Sequence, residues 1–391
     1  MEFDSVIAPL DRAAFLAGPW EKSWAHLSGT ADRFGSLLSW SDLAALLENT
    51  RLAPPHIGLA KGGNAIEPER YLYTPPGAGN SPHLDLGRLV ALLADGATLI
   101  LYSVEDLCPA VRALSESFRD VLQARNHVNL YASWRSENGF DLHWDSHEVM
   151  VLQLQGRKQW QIFGPTQEAP LDVGVPPRPS GPPTWSGMLN AGDVLYLPRG
   201  WWHVANAVNE PSLHLTFGIA PMHGLNLLNW MATRLKGHVH LRRNLPLLRE
   251  PAARQAYMSE LRAIVGEVLN DGAIEDFLRD AALHVHGRPS IQLPQAPYNQ
   301  AGPLRDESLF RLASAPLLSL TDQGDKVIFH AYGKSYTVPA SVKPALALLN
   351  DRQGVALARL CAAVDGEAAV TSLKHGLALL ALAGVVTVET A

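Results

Sequence analysis

His143-Trp144-Asp145 decides how this chain is read. On a β-strand, side chains alternate between faces, so residues i and i+2 share a side. The spacing predicts a strand that presents the His143 imidazole and the Asp145 carboxylate together. A second histidine, His203, closes the stretch Gly192-Asp193-Val194-Leu195-Tyr196-Leu197-Pro198-Arg199-Gly200-Trp201-Trp202-His203. Two histidines and one carboxylate make the facial triad of non-heme iron sites, which leaves the opposite face of the metal open. Blander readings stand beside this one. His143 and His147 are four apart and would share a helix face, as in a helical zinc site, but Trp144 and the β-rich run after it oppose a helix. Asp145 alone could cap a turn. The conjunction of His143, Asp145 and the 192–203 pattern favours metal ligation, with His147 beside the site rather than in it.

Around this core the pattern is one of short strands: Val128 to Ser133, Glu148 to Leu154, Lys158 to Phe163, Leu189 to Leu197, His203 to Ala207 and Ser212 to Ile219. Gln155-Gly156-Arg157 reads as a turn, and Pro165 to Trp185, with seven prolines, as an extended loop. Short strands bounded by Gly and Pro turns argue for a sandwich or barrel. Upstream lies an arm over 1–35 with Trp20 and Trp24. A capped helix starting at Ser39-Trp40-Ser41-Asp42 and a strand from His56 to Ala60 follow. Next come a loop from Arg70 to Asn80, a helix from Leu84 to Leu93, a buried strand from Thr98 to Val104 and a helix from Asp106 to Ala124.

After Pro221 the periodicity becomes helical, over Leu225 to Leu235, Glu250 to Leu269 and Ile274 to Leu283. Arg288 to Arg305 reads as a proline-bearing linker. The last segment has strands at Lys326 to Ala331 and Ser335 to Val338 around a Tyr332-Gly333 turn. Helices near 340–350, 355–363 and 367–382 and a strand from Val385 to Glu389 complete it, a set that resembles a winged-helix domain. The expected division is 1–221, 222–300 and 301–391.

Composition narrows the function classes. The chain has 391 residues, 47% hydrophobic and 18% charged, which describes a soluble protein with ample core. A net charge of -6 gives no overall attraction to nucleic acid or anionic membrane. Cys108 and Cys361, two cysteines far apart, fit a reducing cytoplasm and no disulfide framework. The first residues, Met1-Glu2-Phe3-Asp4-Ser5, do not read as a signal peptide, so none is expected, and no apolar stretch reaches the length of a membrane span.

From Asn129-Leu130-Tyr131 through His143-Trp144-Asp145-Ser146-His147-Glu148-Val149 and Leu152-Gln153-Leu154-Gln155-Gly156-Arg157-Lys158-Gln159-Trp160 to the 192–203 stretch, the chain resembles the JmjC-domain hydroxylases, in particular the ribosomal oxygenases of the cupin-4 group. The 192–203 pattern is similar to the second cupin motif, and His143-x-Asp145 replaces the His-x-His of many cupins. The resemblance implies an α+β fold with a double-stranded β-helix (cupin, or jelly-roll) core, a helical dimerisation segment and a C-terminal winged helix. It also implies Fe(II), 2-oxoglutarate and dioxygen, a homodimer, and hydroxylation of a protein side chain, a ribosomal protein first among candidates.

On the same basis His143, Asp145 and His203 are the metal ligands, and Lys158 holds the distal carboxylate of 2-oxoglutarate. Asn129, Tyr131 and Thr216 face the cosubstrate, with His214 on the same strand face as Thr216. A serine often found two residues after Thr216 in that family is Gly218 here, which departs from the pattern. Each of these residues has a duller alternative: Lys158 as a solvated strand end, Tyr131 as a core aromatic, Trp201 and Trp202 as barrel packing.

Two rival functions remain. One keeps the chemistry but acts on a small peptide or biosynthetic intermediate. The other is a non-catalytic cupin sensor with a DNA-binding winged helix. From Ala301 to Ala391 eight Lys/Arg balance eight Asp/Glu. A net of zero is poor for holding phosphates, so no direct nucleic-acid partner is expected.

Overall fold

The computed structural model describes residues 1–49, 51–76, 79, 81–136, 139–171, 174, 176–284, 304–313, 320–331, 334–350 and 354–389. They divide into two units, Met1–Pro221 and Met222–Ala391.

The first unit contains strands β1 (Ala25–Leu27), β2 (Ile57–Lys61), β3 (Asn64–Ala65), β4 (Leu72–Tyr73), β5 (His83–Leu84), β6 (Thr98–Leu101), β7 (Arg125–Ser133) and β8 (Glu148–Gln155). It continues with β9 (Arg157–Pro165), β10 (Trp185–Asn190), β11 (Val194–Leu197), β12 (Trp201–Ala207) and β13 (Ser212–Ala220). Its helices are α1 (Phe3–Ile7), α2 (Arg12–Ala17), α3 (Trp40–Glu48), α4 (Leu86–Ala94) and α5 (Pro109–Leu122). An eight-stranded sheet runs in the order β1-β11-β8-β13-β7-β6-β2-β3, and a smaller one in the order β10-β9-β12.

Period-two alternation assigns the faces of the large sheet. Met150, Leu152 and Leu154 of β8, Val128, Leu130 and Ala132 of β7, and Leu213, Leu215 and Phe217 of β13 share one core with the helices. There Val111, Leu114 and Phe118 of α5 and Phe3, Val6 and Ile7 of α1 cover them, with Phe118 stacked on Phe217 at 4.4 Å. Val149 and Val151 point the other way, to Trp160, Ile162, Leu189, Leu195 and Leu197 between the sheets. Burial on both faces is why β8 reads as a near-continuous apolar run.

Two sequence expectations change here. His143 does not lie on a regular strand: it makes a single β-bridge to His203, and Trp144 to His147 continue as a loop. The bridge itself supplies the expected geometry. His143 N–H donates to His203 O (3.1 Å), His203 N–H to His143 O (2.8 Å), and Gly200 N–H to Asp145 O (2.8 Å). The stretch from Leu189 to Leu197 is two strands, not one. Gly192 turns the chain between β10 and β11 at φ +92°, where a Cβ would lie 2.0 Å from Thr30 O. Asp193 secures that turn by accepting from Asn190 N–H (2.9 Å) and Gly29 N–H (3.1 Å).

Elsewhere the expected elements form with shifted ends. Ser39 and Asp42 make a reciprocal capping box at the start of α3. The loop from Arg70 to Asn80 holds the two-residue strand β4. Cys108 and Cys361 are half-buried.

The second unit starts with α6 (Gly224–Leu235), α7 (Val239–Arg242), α8 (Pro251–Val268) and α9 (Ala273–His284). Trp230 Nε1 and Arg234 both donate to Asp280 of α9, at 2.8 and 2.6 Å. The last part holds β14 (Leu309–Leu312), β15 (Thr321–Gln323), β16 (Lys326–Ala331), β17 (Lys334–Pro339), β18 (Val355–Ala356) and β19 (Val386–Glu389). Its helices are α10 (Lys343–Leu348), α11 (Leu357–Ala362) and α12 (Glu367–Leu382). β14 pairs with β18 and β19, and β15, β16 and β17 form a meander. The expected boundary at 300, most of the 288–305 linker and the Tyr332-Gly333 turn lie outside the described residues. Among the described residues no helix is long and apolar enough to cross a membrane.

Candidate active site

The loop over 141–147 and the start of β12 bring three ligand atoms of His143, Asp145 and His203 within 4.8 Å of one another. His203 Nε2 lies 3.5 Å and His143 Nε2 4.0 Å from Asp145 Oδ2. Each histidine is oriented from behind. His143 Nδ1–H donates to Asp141 O (2.8 Å) and His203 Nδ1–H to Trp201 O (2.9 Å). A carbonyl can only accept, so each Nδ1 carries a proton and each Nε2, on the side of the carboxylate, is the atom left to bind a metal. Burial, reinforced by neighbouring His143, pushes the His203 imidazole down to about 4. It is therefore neutral and available as a ligand at pH 7. Two imidazole nitrogens and one carboxylate oxygen fit a divalent transition metal. The segment 143–147 is not helical, and His147 Nε2 reaches only the other oxygen of Asp145, at 3.9 Å.

The triad opens into a cavity of roughly 210 Å³ between the two sheets, which Asn129, Tyr131, Lys158, Trp160, His214 and Thr216 help to line. All four residues expected beside the triad are therefore in one place. Asn129 and Thr216 face each other across the β7–β13 pairing. Lys158 is 5% exposed, and its Nζ donates to Ser133 Oγ at 3.2 Å. Burial pushes its ammonium down to about 8. His214 stacks on Tyr131 at 5.0 Å, and its pKa is driven well below the ordinary value by burial and then by Lys158. Burial, then Asp145, raises the Tyr131 phenol.

His214 Nδ1 and Trp160 Nε1 are buried with no hydrogen-bond partner among the described residues. Unpaired polar groups in such surroundings are costly, and native sites normally satisfy them. An ammonium and an indole N–H, neither bonded to a carboxylate among the described residues, fit a small oxygen-rich anion.

Sequence reasoning missed Trp160 and His127 as cavity residues and Ser133 as the hydrogen-bond partner of Lys158. The signal was available: 127, 129, 131 and 133 alternate along β7, and 158 and 160 along β9, so each set shares a face.

This cavity lies within a recognisable domain. Residues 107–227 match the family described as JmjC domain. A bifunctional lysine-specific demethylase and histidyl-hydroxylase, NO66 of Drosophila pseudoobscura pseudoobscura, is 30% identical over 220 residues, 54% of this chain and 22% of that protein. Ribosomal oxygenase 1 of Rattus norvegicus is 25% identical over 385 residues, 87% of this chain and 62% of that protein. The chain thus spans less than two thirds of either relative. The fold is shared with YcfD, a ribosomal oxygenase from Escherichia coli: TM-score 0.60 over 98% of this chain and 99% of that one, at 18% identity. YcfD has also been solved in complex with cobalt and 2-oxoglutarate.

Proposed function

We propose that the chain is an Fe(II)- and 2-oxoglutarate-dependent oxygenase that hydroxylates an amino-acid side chain of a protein, with a ribosomal protein as the leading candidate. The observation that carries this reading is the union, in one cavity, of a His-Asp-His triad and a buried lysine with no carboxylate partner among the described residues. Bound together, iron, 2-oxoglutarate and dioxygen supply oxidative decarboxylation to succinate and carbon dioxide coupled to insertion of oxygen into a C–H bond.

The chain's own residues supply the rest. His143 and His203 offer lone pairs fixed by their backbone acceptors, and Asp145 offers the anionic ligand. Lys158 pairs with the far carboxylate of the cosubstrate, with Ser133 holding its ammonium in place. Trp160, stacked 5.9 Å from His203, walls the site against water and brings its N–H toward the anion. Asn129, Tyr131 and Thr216 provide polar contacts along the same wall.

We further read the second unit as a helical dimerisation region followed by a winged-helix-like domain that contacts protein rather than nucleic acid, and the protein as cytoplasmic. Incubating the iron-loaded protein with 2-oxoglutarate and host ribosomal proteins should give peptides heavier by one oxygen atom. Their absence in an assay that still makes succinate would remove ribosomal proteins as substrates while keeping the chemistry.

A further inference from the structure

Residues 148, 150, 152 and 154 of β8 share one face of the large sheet. Met150, Leu152 and Leu154 belong to the apolar core under the helices, but the row opens on a carboxylate, Glu148, which is 1% exposed. A buried carboxylate is costly unless it is well bonded. Exchanging buried ionic groups for packed apolar ones is often neutral or stabilising. Stability alone therefore does not call for Glu148.

Its bonds point to another task. Glu148 Oε2 accepts from the hydroxyl of Tyr196, itself buried on β11, and Oε1 accepts from Arg199 N–H at 3.4 Å. The carboxylate thus holds both ends of the segment 196–199. The next amide, Gly200 N–H, donates to Asp145 O at 2.8 Å, and β12, which carries His203, starts one residue later. Glu148 lies three residues after Asp145. Two rungs therefore tie the loop bearing Asp145 to the turn that leads to His203, one at Asp145 and one at Glu148. Tyr196 is fixed from behind by the N-terminal arm. Glu21 N–H donates to its oxygen at 2.8 Å, and Trp20 stacks on its ring at 5.7 Å.

We propose that Glu148 is a positioning residue for the metal: by holding Tyr196 and the Arg199 amide it fixes the spacing between Asp145 and His203, and so sets metal affinity. The inference rests on the metal-site part of the oxygenase reading. Glu148 is not itself one of the three groups whose ligand atoms converge.

The test titrates Co(II) into the metal-free full chain and reads the visible ligand-field absorption, beside the melting temperature of the metal-free protein. The double variant Glu148→Leu, Tyr196→Phe removes carboxylate and hydroxyl together and keeps similar shapes, so it melts at or above the wild-type temperature. Glu21 is exposed, so water can serve its freed N–H. Co(II) affinity of the double variant falls about tenfold, which is ~1.4 kcal/mol, and its absorption bands shift. Glu148→Gln keeps an oxygen for Arg199 N–H and turns its amide N–H to the Tyr196 oxygen, and so stays close to wild-type affinity. A double variant with wild-type affinity and bands, or one whose melting temperature falls along with its affinity, overturns the positioning role. So does a Glu148→Gln variant as weak as the double one. In each of these cases Co(II) binding by the wild type leaves the metal site standing, whereas a wild type that binds no Co(II) removes the site and the inference together.

Discussion

Lys158 is a buried cation of the cavity, and its ammonium's one hydrogen bond among the described residues is to the Ser133 hydroxyl. Truncating one partner of a buried charge pair costs a few kcal/mol, and each 1.4 kcal/mol is about tenfold in affinity. Lys158→Ala should therefore raise the apparent KM for 2-oxoglutarate on the order of a hundredfold while metal affinity stays near wild type. Lys158→Arg should keep part of the function, since a guanidinium also pairs with carboxylates. Steady-state kinetics together with metal titration of each variant checks both statements.

A pH dependence follows from the same residue. In the ligand-free protein, burial puts the Lys158 pKa at about 8. A carboxylate brought against the ammonium favours its charged form and raises that pKa. Binding at pH 7 finds the lysine already protonated, whereas binding above pH 8 must take up a proton. Affinity for 2-oxoglutarate should thus be flat below pH 8 and fall as pH rises from 8 toward 10. Calorimetric titrations across that range would contradict this if affinity held constant or rose. The triad was legible from residue types and spacing, and Lys158 from its place in a family pattern. His127, Trp160 and the orphaned His214 nitrogen were not used, because their meaning depends on which groups the sheets bring opposite them.

Among the elements, the strand alternation was readable, since β7, β8 and β13 each bury one apolar face under helices. The element that carries His143 and Asp145 was not. A loop held by one bridge to β12 looks, in sequence, the same as a strand with two ligands on one face. The bonds that shape it come from His203 and Gly200, 55 or more residues downstream. The turn at Gly156 was legible and the one at Gly192, inside the stretch read as a single strand, was not.

Gly156, between β8 and β9, has φ +67°, and a Cβ there would meet Pro211 O at 1.9 Å. This turn places β9, and so sets where Lys158 enters the cavity. Gly156→Ala should cost on the order of 2 kcal/mol or more, through both the strained backbone and the clash. A melting temperature equal to wild type would show that the turn relaxes freely.

Across the whole molecule, the helices after residue 221 leave large apolar side chains exposed: Leu225, Leu228 and Val239 at 48, 52 and 56%, and Ile274 at 58%. A second copy of the chain, joined about a two-fold axis, is the expected cover. Light scattering at micromolar concentration should give twice the 42.5 kDa chain mass, and a monomer there would count against the dimer.

The candidate metal site and the proposed cosubstrate pocket together make one claim about what the molecule does. The most direct measurement is succinate formed from 2-oxoglutarate by the iron-loaded wild type, by Lys158→Ala, and by His143→Ala, Asp145→Ala and His203→Ala. Expected are 2-oxoglutarate-dependent succinate release from the wild type, release restored in Lys158→Ala only at much higher 2-oxoglutarate, and none from the three triad variants. A wild type that makes no succinate, or a triad variant that makes it at the wild-type rate, would contradict the assignment.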